Sequence, residues 1–219
     1  MPVAEQSARE KRHQHLLTLA KQAYEDHVLR SYYTTGPLHA WSISRPGSSI
    51  FWQQILMPSK YDIVILGDGP DLNLIVRGGH GCKGVLQKLK WFSESNLGHV
   101  TSKVILPKAR ETFDAEVAVE DVRDYCSDIV DGFIPEYPCQ TPQDFLRDIL
   151  GHIESCSTEH ECGEIISERL SEMYPDWWDA DFGMVTNSDI YYARAAVGRL
   201  VACLDCHHYR PSQEGDPIQ

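Results

Sequence analysis

The sequence has no run of apolar residues long enough to span a bilayer. A membrane-spanning helix needs about 20 consecutive apolar residues, and no stretch of this 219-residue chain approaches that length. The first residues, MPVAEQSAREKRHQHLL, also lack the apolar segment and the small-residue cleavage site of a signal peptide. We therefore expect a cytoplasmic protein that does not bind membranes.

Lysine is absent after Lys108, and this absence divides the chain electrostatically. The net charge is −12 overall, but residues 1–110 carry +6 and residues 111–219 carry −18. An acidic surface repels nucleic acid and attracts basic partners. We therefore expect no direct DNA binding, and a partner protein that is basic or itself binds nucleic acid.

The cysteines lack the pattern of a disulfide framework. There are seven, an odd number at irregular spacings, and we interpret them as reduced thiols. Structural zinc sites usually show two close ligand pairs, whereas this chain has one, Cys203 with Cys206, followed by His207. We expect no cofactor, with zinc at these three residues as the alternative.

Catalytic signatures are also missing, since no G-x-S-x-G, H-E-x-x-H or paired-acid pattern occurs. Asp68 and Asp71 are close in sequence, but Asp68-Gly69-Pro70-Asp71 is first of all a turn signal. A metal-dependent hydrolase using these aspartates and the histidines remains one alternative function.

The residues that are present favour an α+β fold. Helical spacing predicts a first helix over residues 4–31, and short apolar runs separated by turn signals predict four antiparallel strands at 38–45, 50–57, 61–66 and 72–76. Residues 85–92 form a predicted short helix, and 99–106 are a candidate fifth strand. The predicted core of the sheet consists of Trp41, Ile43, Phe51, Ile55, Ile63 and Ile65.

After Pro107 the periodicity becomes helical. Helices are predicted over 115–130, from Thr141 with Pro142 in the first turn, and over 161–173. A long last helix is capped by Asn187-Ser188-Asp189. The predicted organisation is an N-terminal helix and sheet region at 1–106, an acidic helical region at 107–210 packed on it, and a disordered tail at 211–219. The first two regions could also form one integrated domain.

The stretch RGGHGCKG contains the spacing G-x-G-x-x-G in Gly79, Gly81 and Gly84. Dinucleotide-binding loops of this spacing join a parallel strand to a helix within repeated βαβ units. The linkers ahead of the loop are too short for crossover helices, so the strands should be antiparallel. The glycines then serve a tight turn with positive φ. A nucleotide-binding or nucleotide-sequestering protein is the alternative, with an anion held by Arg45, Arg77, Gly79, Gly81, Lys83 and Gly84.

The segments WSISRPGSSIFW, IVILGDGPDL, WF and HVTSKV, within about residues 41–104, resemble a group of uncharacterised accessory proteins encoded by bacteriophages and prophages. The resemblance carries no catalytic residue. It implies a context, because phage accessory proteins of this size often bind and interfere with a host enzyme or defence system. The location would then be the cytoplasm of the host cell.

The acidic half offers a surface for such a role. Glu161, Glu164, Glu168 and Glu172 follow helical spacing opposite apolar positions, so they could present a row of carboxylates. An ordinary solvated helix face is the simpler interpretation of this row. The first functional hypothesis is a non-enzymatic, anti-defence type inhibitor that binds a host protein through this acidic surface.

Overall fold

The computed structural model describes residues 6–48, 52–67, 74–105, 110–126, 140–170 and 181–206. In chain order the elements are α1 (Ala8–Tyr24), β1 (Val28–Thr35), β2 (Leu38–Ser44), β3 (Gln53–Met57), β4 (Asp62–Gly67), β5 (Leu74–Arg77), α2 (Val85–Glu94), α3 (Leu97–Thr101), β6 (Glu111–Phe113), α4 (Ala115–Tyr125), α5 (Pro142–Glu154), α6 (Glu159–Leu170), β7 (Met184–Thr186) and α7 (Ser188–Cys206). The fold is α+β, as the sequence predicts. No helix of the described segments is both long and apolar enough to cross a membrane.

The chain divides into two compact units. The sheet unit comprises residues 14–110 and 186–219, and the helical unit comprises residues 1–13 and 111–185. The division falls inside α1, after His13. Each unit has its own set of buried apolar side chains.

The sheet unit is built on an antiparallel meander in the order β1-β2-β3-β4-β5. Few residues separate consecutive strands in sequence, too few for the crossover helices that parallel strands require. Trp41 pairs with Ile55 and Ile55 pairs with Ile65, so one pleated face is continuous across three strands. This face is buried together with apolar residues of α2 and α7.

The predicted sheet core is confirmed at five positions, Trp41, Ile43, Ile55, Ile63 and Ile65, each no more than 2 % exposed. The sixth, Phe51, lies outside the described residues. Buried positions recur at every second residue of these strands because a strand has a period of two residues, which sends every second side chain to the same face.

Two secondary-structure predictions are wrong. The predicted helix over residues 4–31 ends at Tyr24, and Val28–Thr35 is instead the edge strand β1. Its aromatic and threonine residues find partners in β2, with Tyr32 opposite Trp41, and strand pairing outweighs the weak helical pattern. The candidate fifth strand at 99–106 is largely the short helix α3 and a turn, and only Val104 forms a bridge, to Val76.

The helical unit packs α4, α5 and α6 around a second core that includes Val122, Phe145, Ile149, Ile166 and Leu170. Helix starts follow the local capping chemistry. Asp114 accepts a hydrogen bond from the amide of Val117, and Thr141 accepts one from Asp144 ahead of Pro142. The predicted start at Thr141 is therefore confirmed. The parts of the predicted helices at 127–130 and 171–173, and the predicted disordered tail at 211–219, lie outside the described residues.

Candidate functional site

A cavity of about 620 Å³ lies in the sheet unit between α1, α2 and α7. Most of its wall is apolar, formed by Leu17, Ala20, Ala195, Gly198 and Val201 among others. Pockets that hold small molecules generally measure about 300–1,000 Å³ and are mainly apolar with a few convergent polar groups. The cavity therefore has the size and lining of a small-molecule site.

Helical periodicity places the lining residues together. On α1, Leu17, Ala20, Lys21 and Tyr24 recur every three or four residues and therefore share one face. On α7 the small residues Ala195 and Gly198 face the cavity, which leaves space where larger side chains would fill it. The remaining apolar residues of α7, such as Val197 and Leu200, are fully buried in the core of the sheet unit. One helix thus serves both the core and the cavity wall.

Tyr24 lines this cavity, and its hydroxyl is buried in the protein. The residue is 1 % exposed, and its hydroxyl has no hydrogen-bond partner in the described segments. The ring of Tyr24 contacts His27 edge to face, with 4.8 Å between ring centroids. Burial, with smaller contributions from Tyr192 and Asp189, raises the pKa of Tyr24. The phenol therefore stays protonated and available as a donor. Because a buried polar group without a partner is costly, this hydroxyl requires an explanation.

Two arginines of α7 also line the cavity. Arg194 donates through its Nη2 to the carbonyl oxygens of Ser93, at 3.0 Å, and Ser95. Its buried Nε has no acceptor among the described residues. Arg199 donates from Nε to the carbonyl oxygen of His27 at 2.6 Å. Both guanidinium groups are thus held in place by backbone carbonyls, and neither forms an ion pair with a described carboxylate.

The glycine-rich loop has a structural explanation at two of its glycines. A Cβ on Gly78 would meet the Trp91 ring at 2.4 Å, so the backbone lies against the indole. Gly79 has φ +65°, in the left-handed region that favours glycine. Gly81 and Gly84 face open space, and Gly84 has extended backbone. The antiparallel sheet excludes the dinucleotide-binding context, and the predicted positive-φ turn is confirmed at Gly79.

The predicted anion-binding residues do not all come together. Arg45 lies at the β2–β3 turn, the opposite end of the meander from the glycine-rich loop that follows β5. Arg77 forms an ion pair with Asp62, with 2.8 Å between Nε and Oδ1. This contact lowers the pKa of Asp62. Both arginines are therefore unsuited to join the loop in holding one anion.

Lys83 and Gly84 line a smaller cavity of about 270 Å³ together with Lys60 and Lys88. Lys88 is 2 % exposed and donates from Nζ to the carbonyl oxygen of Lys60 at 2.8 Å. Burial lowers the pKa of Lys88. The amide of Lys83 donates to Gln87 Oε1, and no side chain caps α2 at Gly84. The buried ammonium group of Lys88 already has a backbone partner. The described residues that line this cavity therefore include no buried side-chain polar atom that lacks a partner.

The acidic row is partly engaged in local contacts. Glu161 accepts hydrogen bonds from the amides of Ser157 and Thr158 and so caps the start of α6. Glu164 lies 3.5 Å from His160 Nε2, and both side chains are well exposed. Glu168 is exposed as well, whereas Glu172 lies outside the described residues. Glu161 is therefore an exposed residue that also caps α6, and Glu164 and Glu168 continue the exposed row.

The predicted zinc ligands differ in environment. Cys203 is buried, and its thiol donates weakly to the carbonyl oxygen of His27, whereas Cys206 is exposed. His207 lies outside the described residues, as do Asp68 and Asp71. Within the described ranges no three His, Cys, Asp or Glu side chains form a group that could hold a metal ion.

No protein-family model, curated protein or solved structure matches the chain. Sequence reasoning missed the cavity between α1, α2 and α7 because Tyr24 appeared as one more apolar position of the first helix. The available signal was Arg194 and Arg199, two cations on either side of Ala195 and Gly198 in an otherwise apolar helix. Their spacing of five residues placed them beside the apolar face without showing that a cavity lay there.

Proposed function

We propose that this protein is a binding protein for a small, largely apolar organic molecule, which it holds in the cavity between α1, α2 and α7. The observation that carries the proposal is the cavity itself, about 620 Å³ with a mainly apolar wall. This size and lining are those of a small-molecule site. The apolar body of a ligand would cover Leu17, Ala20 and Val201.

The proposal is tested by titration with Nile red, a neutral dye that fluoresces in apolar sites. Ala195→Trp places an indole in the cavity and should weaken dye binding at least about tenfold, the loss of roughly 1.4 kcal/mol. Ala202→Trp is the matched control, because Ala202 is exposed on the same helix and does not line the cavity. The wild type and Ala202→Trp should bind the dye with similar, saturable affinity.

Failure of the wild-type protein to bind the dye in a saturable way would contradict the proposal. Equal binding by wild type and Ala195→Trp would do so as well, provided that circular dichroism shows the variant folded. If Ala195→Trp does not fold, Ala195→Leu is the smaller replacement, with Ala202→Leu as its control.

We propose partner binding through the acidic surface as a second function. The support is charge segregation: the helical unit carries 22 Asp or Glu against 6 Lys or Arg, a net charge of −16. Glu164 and Glu168 are exposed on α6 and suit a basic partner protein. For a phage-type accessory protein that partner would be a host protein whose activity it inhibits.

A further inference from the structure

Lys88 on α2 is buried, which is unusual for a lysine. The residue is 2 % exposed, and within the described segments it is the only buried lysine or arginine. Its Nζ donates to the carbonyl oxygen of Lys60 at 2.8 Å, although an ammonium group has three hydrogens to donate. Burial of an incompletely paired charge is costly, and a buried lysine lowers this cost by losing its proton.

The nitrogen of Lys88 lies beside the smaller cavity, the one of about 270 Å³. Its hydrogen-bond acceptor belongs to Lys60, which lines this cavity. The thiol of Cys82, another residue of the cavity wall, is close enough to interact electrostatically with the Lys88 amine. Lys60 is exposed and Cys82 is half-buried, so the amine end of Lys88 is surrounded by groups that solvent reaches.

The surroundings of Lys88 favour its neutral form. Burial lowers the pKa of Lys88, and it outweighs the opposing effects of Asp62 and Cys82. The carboxylate of Asp62 is itself engaged, because it accepts hydrogen bonds from Arg77 Nε at 2.8 Å and from Ser59 Oγ at 2.9 Å. A lysine amine is a nucleophile only when it is neutral, and desolvation is one way in which proteins produce such an amine.

The hydrogen bond to Lys60 is compatible with a nucleophilic amine. A backbone carbonyl oxygen only accepts, so this bond uses a hydrogen of the amine and leaves the lone pair of the nitrogen available. The bond also joins α2 to the turn between β3 and β4, which fixes the position of the nitrogen. Pro37, Met57 and Val85 give the same cavity an apolar part of its wall.

We propose that Lys88 is a reactive amine that forms a Schiff base with a small aldehyde or ketone in this cavity. The lone pair of Nζ attacks the carbonyl carbon and a carbon–nitrogen bond forms. The carbonyl oxygen leaves as water, with one hydrogen from the amine and one proton from solvent. The product is a protonated imine, whose remaining N–H can donate to the Lys60 carbonyl oxygen. A cavity of about 270 Å³ admits only a small compound.

The test is reductive labelling with acetaldehyde and sodium cyanoborohydride, which reduces an imine to a stable secondary amine. The folded protein is labelled briefly at pH 7, and peptide mass spectrometry measures the ethylation of each lysine. Lys60 and Lys83 are internal references, because both are exposed residues of the same cavity wall. Lys88 should be ethylated about fivefold or more above either reference, because desolvation activates a lysine. A lysine that is buried only for structural reasons would instead be among the least labelled.

Two controls connect the reactivity to the folded cavity. In guanidinium chloride the preference for Lys88 should disappear, because the unfolded chain no longer buries its amine. Gly84→Trp places an indole at the cavity wall and should reduce the ethylation of Lys88 severalfold. Gly81→Trp is the matched control, since Gly81 is also exposed with open space around it but does not line the cavity.

Ethylation of Lys88 at or below the level of Lys60 and Lys83 in the folded protein would overturn the proposal. A preference for Lys88 that persists in the unfolded chain would do so as well, because it would come from the local sequence and not from the fold. Undiminished ethylation in Gly84→Trp, with circular dichroism showing that the variant is folded, would exclude this cavity as the route to the amine. If Gly84→Trp does not fold, the comparison of folded and unfolded wild type still decides.

Discussion

The sheet unit and the helical unit differ in charge and in what their buried surfaces enclose. The helical unit carries −16 and the sheet unit +4, so the acidity of the chain is concentrated in one of two compact parts. The sheet unit contains a cavity with a mainly apolar wall, whereas in the helical unit acidic residues cap helices and lie on exposed faces. The net charge of −12 for the whole chain therefore conceals one strongly acidic unit and one weakly basic unit.

Truncation of a core side chain should cause the largest loss of stability. The location of the faster amide exchange should show whether the two cores open separately. Leu200→Ala in the sheet unit and Ile149→Ala in the helical unit each remove a fully buried side chain. Each should lower the free energy of unfolding by about 2–5 kcal/mol, from lost burial and the remaining void. Amide hydrogen exchange should accelerate mainly in β1–β5 and α7 for Leu200→Ala, and in α4–α6 for Ile149→Ala. Equal acceleration in both units for each variant would show that the cores open as one.

Gly183 tests the local packing of the helical unit. It has φ +70°, and a Cβ there would meet the Ala118 Cβ at 2.7 Å and the Asp114 carbonyl oxygen at 2.8 Å. Gly183→Ala combines this clash with unfavourable backbone and should cost roughly 2–4 kcal/mol. Gly47, with φ +72° at the β2–β3 turn, has open space around it, so Gly47→Ala should cost about 1 kcal/mol. Urea denaturation measures both, and a larger loss at Gly47 would contradict the packing argument.

A smaller effect is expected in the glycine-rich loop of the sheet unit. Gly78→Ala should lower stability by about 1–3 kcal/mol because its methyl group would overlap the Trp91 ring. Gly81→Ala should change it by no more than about 0.5 kcal/mol, since nothing lies within 4 Å and the backbone is not left-handed. Thermal denaturation of both variants measures this difference in stability. Comparable losses at the two positions would mean that Gly81 has a role the fold does not explain.

The smallest expected effect on stability is in the acidic surface. Reversing Glu164 and Glu168 to lysine should move the Tm by no more than about 2 °C, because both side chains are exposed. If the helical unit binds a basic partner, the same double variant should slow association. The interaction should also weaken as salt shortens the Debye length from about 10 Å at 0.1 M to about 3 Å at 1 M. The matched control is the double variant Glu10→Lys with Glu25→Lys, which changes the net charge of the chain by the same amount.

Partner capture that survives both the reversal and 0.5 M salt would contradict the acidic-surface proposal. Loss of capture in the control variant alone would move the interface to the region of Glu10 and Glu25, away from α6.

Periodicity predicted much of the fold, and the failures have identifiable causes. Strands β2–β5 and helices α5 and α7 follow from alternation, turn residues and caps, which are local properties. The edge strand β1 does not, because VLRSYYTT becomes a strand only when Tyr32 and its neighbours pair with β2. The cavity was beyond sequence reasoning for a related reason. Tyr24 lies about 170 residues from Arg194 and Arg199, and only the folded chain shows that the three residues line one cavity.

We expect the sheet unit, and not the acidic helical unit, to hold the site for a small, largely apolar molecule. Amide chemical-shift mapping of the ¹⁵N-labelled protein during titration with Nile red tests this expectation. Saturable shifts are expected in residues 17–25, 91–95 and 191–201, with residues 111–126 and 140–170 unchanged, and Ala195→Trp should abolish these shifts. Shifts spread over both units, or confined to α4–α6, would contradict it.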